Sequence, residues 1–144
     1  MDEKEERGLV IVTDATLSEE AGVAGISAVL LGDDGQAKLA IGKKVEEDDI
    51  VAAELRAVLF AIEEIPKDYT RVTLLSDNSN AVDFLNGDAG TEAERANELV
   101  RKIRKRAKTH GIDFHVEWQP RSANEIADAV AAVSARAQSV WART

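Results

Sequence analysis

The sequence predicts an α/β fold: a five-stranded mixed sheet with helices on both faces, in the order βββαβααβα. Three observations carry this. Short β-branched aliphatic runs alternate with stretches of helical periodicity, the first three runs are separated only by turn signals, and helices separate the later ones. The chain has 144 residues and is 44% apolar, which suits one domain with a real core. Zero cysteines excludes disulfides, thiolate metal sites and thiol nucleophiles. No apolar run approaches the roughly 20 residues of a membrane span. The first seven residues, MDEKEER, lack the apolar segment of a secretory signal. They are expected to form a disordered acidic stub ahead of a single domain over 8–141, in a cytoplasmic protein.

The elements follow in order. GLVIVTDAT, residues 8–16, is a buried strand with a polar tip. In the next stretch Ile26, Ala28 and Leu30 alternate with smaller residues before the Asp34-Gly35 turn signal, and residues 36–45 return as a third strand, so the three form an antiparallel meander. From Asp49 to Ile65 the period becomes helical, through Val51, Leu55, Val58, Leu59 and Ile62, and Pro66 follows the stop. RVTLLSD, 71–77, is a fourth strand, and a short helix runs through Ala81, Val82, Phe84 and Leu85 to Gly87. A longer helix is expected over 91–109. The fifth strand, 112–119, sets Ile112, Phe114, Val116 and Trp118 on one face. The last helix is expected to open with a Ser122–Glu125 capping box and to run to about Trp141.

Charge is unevenly distributed. The net charge of −9 argues against a nucleic-acid binder, yet residues 1–98 hold 9 basic and 23 acidic side chains while residues 99–144 hold 9 and 4. An acidic body with a basic last third fits oriented contact with a polyanion, or a solvated acidic surface. Acidic surplus, few lysines and 4% aromatics also suit a salt-rich cytoplasm. The basic residues Arg101, Lys102, Arg104, Lys105, Arg106 and Lys108 share one helix, whose apolar side is Leu99, Val100, Ile103 and Ala107.

Four acids stand where packing alone would not put them. Asp14 and Asp77 end the first and fourth strands, where ligands gather in α/β sheets and where turn or capping aspartates also occur. On a helical wheel Glu54 falls on the shoulder of its apolar stripe, beside Ala57 and Ala61, so it can lean over the sheet end or be solvated. Asp128 lies away from Ile126, Val130 and Val133, among Ala127, Ala131, Ala132 and Ala135. That alanine face either approaches a neighbour closely or is exposed.

As an ordered set, VTDAT (12–16), AAELRAVLFAIE (52–63), LLSDNSNAV (74–82) and WQPRSANEIADAVA (118–131) resemble the ribonuclease H type 1 family. The form resembled has no hybrid-binding domain and carries a W-x-P-R…N-E-x-x-D C-terminal motif. The resemblance spans roughly residues 8–137. It implies an endonuclease that cuts the RNA strand of RNA–DNA hybrids, leaving 5′-phosphate ends, with two Mg²⁺ ions or Mn²⁺ in their place. Asp14 and Asp77 would be shared ligands, Glu54 would bind one ion and contact the 2′-hydroxyl, and Asp128 would complete the second ion's shell. The chemistry agrees: two divalent ions roughly 3.5–4 Å apart hold the attacking and leaving oxygens of an in-line displacement, and magnesium wants carboxylate oxygens. Thr16, Asn78, Ser79, Arg121 and Asn124 are candidate substrate contacts, as are Arg101, Lys102, Arg104 and Lys105.

Two departures stand out. Asp14-Ala15 replaces the family's usual Asp-Gly, which sets a methyl group at the substrate approach, and the loop 119–124 lacks the histidine many members carry. Activity is therefore expected, at a lower rate. His110 and His115 are expected to have no catalytic role. Transposase- or resolvase-like enzymes, a non-catalytic ribonuclease-H-like module binding nucleic acid or protein, and an acidic interaction domain are the competing readings. The chain is expected to be a monomer without an obligatory protein partner and without a membrane partner.

Overall fold

A computed structural model describes residues 8–143 other than 19, 33, 67–68, 88–93, 124 and 136–138, and at Asp128 and 139–143 only the backbone. The elements are β1 (Gly8–Leu17), β2 (Val23–Leu31), β3 (Ala37–Glu46), α1 (Ile50–Glu64), β4 (Arg71–Ser76), α2 (Ser79–Leu85), α3 (Glu94–Thr109), β5 (Asp113–Trp118), a 3₁₀ turn (Arg121–Ala123), α4 (Glu125–Ser134) and β6 (Ser139–Arg143). The sheet order is β5-β4-β1-β2-β3-β6.

β1, β2 and β3 form the expected antiparallel meander. The Asp34 carboxylate closes the β2–β3 turn on the Gln36 amide at 2.9 Å, and Gly35 supplies a φ of 78°. β4 runs parallel to β1 and β5 parallel to β4, each reached through a helical crossover. This is the mixed five-stranded sheet of the ribonuclease H-like fold.

A sixth strand corrects the expected C-terminus. α4 stops at Ser134, and residues 139–143 pair antiparallel with β3 instead of continuing the helix to Trp141. The β3 edge offers a row of ladder partners, and a segment with valine and tryptophan suits that use better than a helix end. The helix start is corrected too. Pro120 accepts the Ala123 amide at 2.9 Å, so Ser122 lies inside a 3₁₀ turn and is not the cap of α4. The expected stub over 1–7 lies outside the described residues.

The two faces of the sheet are packed differently. Under α1 and α3 lies the main core, with Ile11, Ile26, Leu55, Ile62, Leu74 and Ile103 fully enclosed. The opposite face carries α4 over a thinner cluster of Val12, Val29, Ala40 and Ala127. There α4 sits almost on backbone. A Cβ on Gly25 would stand 1.9 Å from the Ala131 carbonyl oxygen, and one on Gly42 would stand 2.2 Å from the Ser134 hydroxyl oxygen. The alanine face is thus the buried one: Ala127, Ala131 and Ala135 are enclosed, while Ile126 is 50% and Val133 49% exposed. Among the described residues no helix is long and apolar enough to cross a membrane.

Candidate metal centre

Adjacent parallel strands bring the first two acids together. β1 and β4 pair through Val12 and Leu75, so Asp14 and Asp77 stand two positions further along each strand, at the same end of the sheet. α1 begins over this end. The Asp49 carboxylate caps it on the Ala52 amide at 2.9 Å, and Glu54 follows one turn later on the buried side. One carboxylate oxygen from each of Asp14, Glu54 and Asp77 lies within 4.8 Å of the others.

Three like charges this close disfavour ionisation, and Glu54 registers it. Its carboxyl is pushed up to about 9, first by burial, then by the Asp14 charge and a hydrogen bond with Asp14, then by the Asp77 charge; the Ala15 amide pulls the other way. The Ser76 hydroxyl donates to Glu54 Oε2 at 3.3 Å. At neutral pH Glu54 therefore keeps a proton, and the cluster has the excess of negative charge that a divalent cation would neutralise. Three hard oxygen donors at a sheet end fit magnesium or manganese, and these three residues would hold it.

A recess of about 380 Å³ opens beside the acids, and Thr16, Asn78 and Arg121 line it with them. Arg121 comes from the 3₁₀ turn, so that turn delivers a guanidinium to the acidic cleft. The Asn78 side chain also caps α2, accepting from the Ala81 amide at 2.9 Å. Ala15 borders the recess and is also part of the main core, at 5% exposure. Ser79 is the exposed first residue of α2. On α3, Arg101, Lys102 and Lys105 are exposed, and Arg104 donates to the Leu85 carbonyl at 3.0 Å; these four stand outside the recess. His115 is exposed beside Glu117 at 2.9 Å and His110 follows α3; neither lines the recess.

The fourth acid lies on α4. Asn124 and the Asp128 side chain lie outside the described residues, but the backbone at 127 is tied down. The buried Ser27 hydroxyl donates to the Ala127 carbonyl at 2.6 Å, and Ser27 is the cross-strand partner of Asp14. Sequence reasoning missed Ser27 and Ser76, although each shares the strand of, or lies directly across from, a named acid. It also misjudged Trp118. Ile112 and Val116 are buried and Phe114 half-buried as expected, yet Trp118 is 54% exposed and its indole donates to the Asp77 carbonyl at 3.1 Å.

The chain resembles known proteins over most of its length. A family model described as reverse transcriptase-like matches residues 12–134. No curated protein matches the sequence. The ribonuclease H1 of the halophilic archaeon Halobacterium salinarum NRC-1 superposes with a TM-score of 0.79 at 23% identity, covering 90% of this chain and 98% of that one. The N-terminal ribonuclease H domain of a Mycobacterium tuberculosis protein gives 0.75 at 21%, covering 90% and 94%. LC11-RNase H1, isolated from compost by a metagenomic approach and solved with an RNA/DNA hybrid, gives 0.73 at 20%, covering 84% and 91%. With the matched span running from within β1 to the end of α4, the chain belongs to the reverse transcriptase-like family, and its fold is that of the type 1 ribonucleases H.

Proposed function

We propose that this chain is a metal-dependent endonuclease that hydrolyses the RNA strand of RNA–DNA hybrids, leaving 5′-phosphate ends. The observation that carries the reading is the convergence of Asp14, Glu54 and Asp77, with oxygens within 4.8 Å at one end of the sheet. Two Mg²⁺ ions, or Mn²⁺, would make a water nucleophilic and stabilise the leaving oxyanion. Asp14 and Asp77 would hold both ions as shared ligands. Glu54, as the carboxylate, would bind one ion and meet the 2′-hydroxyl, and Asp128 would supply the fourth carboxylate from α4. Arg121 binds a phosphate at the rim, and Thr16, Asn78, Ser79 and Asn124 contact the substrate. Arg101, Lys102, Arg104 and Lys105 meet the polyanion away from the cleft, so affinity falls as salt rises. A hybrid-bound relative of the same fold supports this substrate. The protein acts in the cytoplasm as a monomer, without an obligatory partner.

The test is end-labelled RNA–DNA hybrid incubated with Mg²⁺, Mn²⁺ or EDTA, beside Asp77→Asn. Metal-dependent cleavage of the RNA strand, absent on duplex DNA and reduced at least about 100-fold in the variant, is expected. Tight hybrid binding without cleavage under either metal would leave a non-catalytic binding module.

A further inference from the structure

We propose that Trp118 is a positioning residue for the Asp77 carboxylate, its indole N–H fixing the peptide from which that ligand projects. The inference rests on the metal-centre reading above. Among the described residues Trp118 is the only exposed Phe, Tyr or Trp, and its N–H is nonetheless engaged by the protein. It is used on Asp77. The ladder between β4 and β1 ends at Leu75, and that between β4 and β5 ends with the Gln119 amide on the Ser76 carbonyl at 2.9 Å. Asp77 lies past both ends, where the chain bends into α2. Its carbonyl oxygen accepts the indole N–H at 3.1 Å, and the next amide, Asn78, donates to the Ser76 hydroxyl at 3.2 Å. That same hydroxyl donates to Glu54. Past the end of the strand ladders, Trp118 and Ser76 both bond to this peptide. Groups that orient metal ligands set affinity as well as the ligands themselves do.

Trp118→Phe keeps a ring and removes only the N–H. Calorimetric titration with Mg²⁺, which needs no turnover, is expected to show roughly tenfold weaker binding than wild type. Hybrid cleavage should lose kcat at fixed Mg²⁺ with KM for the hybrid unchanged, and higher Mg²⁺ should restore it; Tm should not move. Equal Mg²⁺ affinity in the two proteins overturns the inference. So does a raised KM with normal metal affinity, which would make the ring a stacking platform for substrate, and so does a fall in Tm that accounts for the loss. Wild type that binds Mg²⁺, with the variant weaker, but cuts no hybrid would overturn the nuclease reading and leave this one standing. Wild type that binds no Mg²⁺ would overturn both.

Discussion

Glu47 and Glu54 are the same residue type, seven positions apart, and both are buried, at 5% and 3% exposure. Their carboxyls move in opposite directions. Burial pushes the Glu47 carboxyl up, but Arg95 outweighs it through bonds from Nε at 3.0 Å and Nη2 at 2.5 Å, with Arg56 adding attraction from 3.7 Å, so Glu47 ends below the ordinary value. Glu54 has Asp14 and Asp77 for neighbours and is raised to about 9. Burial alone therefore does not mark a functional carboxylate. Glu47 fastens the loop between β3 and α1 to the start of α3, a structural task with its charges matched. Glu54 is held among like charges that oppose its ionisation, which gives up stability, as candidate functional carboxylates do.

The contrast can be broken most forcefully at Glu54. Glu54→Gln should lose at least about 100-fold in hybrid cleavage while raising the stability of the metal-free protein at pH 7–8 by on the order of 1–3 kcal/mol, read as Tm by calorimetry. The pH dependence gives the sign. A carboxyl raised in the folded state contributes stability below its unfolded value of 4.5 and loses it as pH climbs towards about 9, so the wild-type alkaline limb should slope down and the variant's should flatten. Next, saturating Mg²⁺ should stabilise wild type on that limb by about 1–3 kcal/mol and leave Glu54→Gln nearly unmoved.

Glu47 should behave in reverse. Its lowered carboxyl contributes stability above 4.5 that disappears as pH falls through the folded value, so it steepens the acid limb. Arg95→Met should remove about 1–2 kcal/mol at pH 7, discounted because Arg95 is largely exposed, with no change in Mg²⁺ affinity. Arg56→Gln is the smallest expected effect. It removes a 3.7 Å ion pair and a 2.8 Å bond to the Glu46 carbonyl, and urea unfolding should register about 0.5–1 kcal/mol.

The sequence made the site legible where local pattern and chemistry coincide. Asp14 and Asp77 interrupt aliphatic strands, and the wheel position of Glu54 among small residues left burial open as one of two outcomes. The three converge. Glu47 was invisible because it sits in the acidic run 46–49, which reads as a solvated loop, and its partner Arg95 is 48 residues away. The buried face of α4 was ambiguous for a similar reason. Ile126 and Val133 look like core residues, but the room under α4 is set by Gly25, which lies against Ala131 and Ala135, and by Gly42, which lies against Ser134 and Val130, on two other strands. β6 escaped because its partner is the free edge of β3, not anything nearby in the chain. Trp118 was assigned by alternation alone, which gives the face of a strand and not whether a helix covers its end.

The seating of α4 on Gly25 and Gly42 has a mechanical consequence. A helix seated on apolar side chains tolerates exchange of one for another of similar volume, as under α1. Gly25 against the Ala131 carbonyl has no such latitude, because a Cβ there would meet backbone. α4, pinned also by the Ser27 hydroxyl, thus has its distance from the sheet fixed beside β2, the strand whose Ser27 pairs with Asp14.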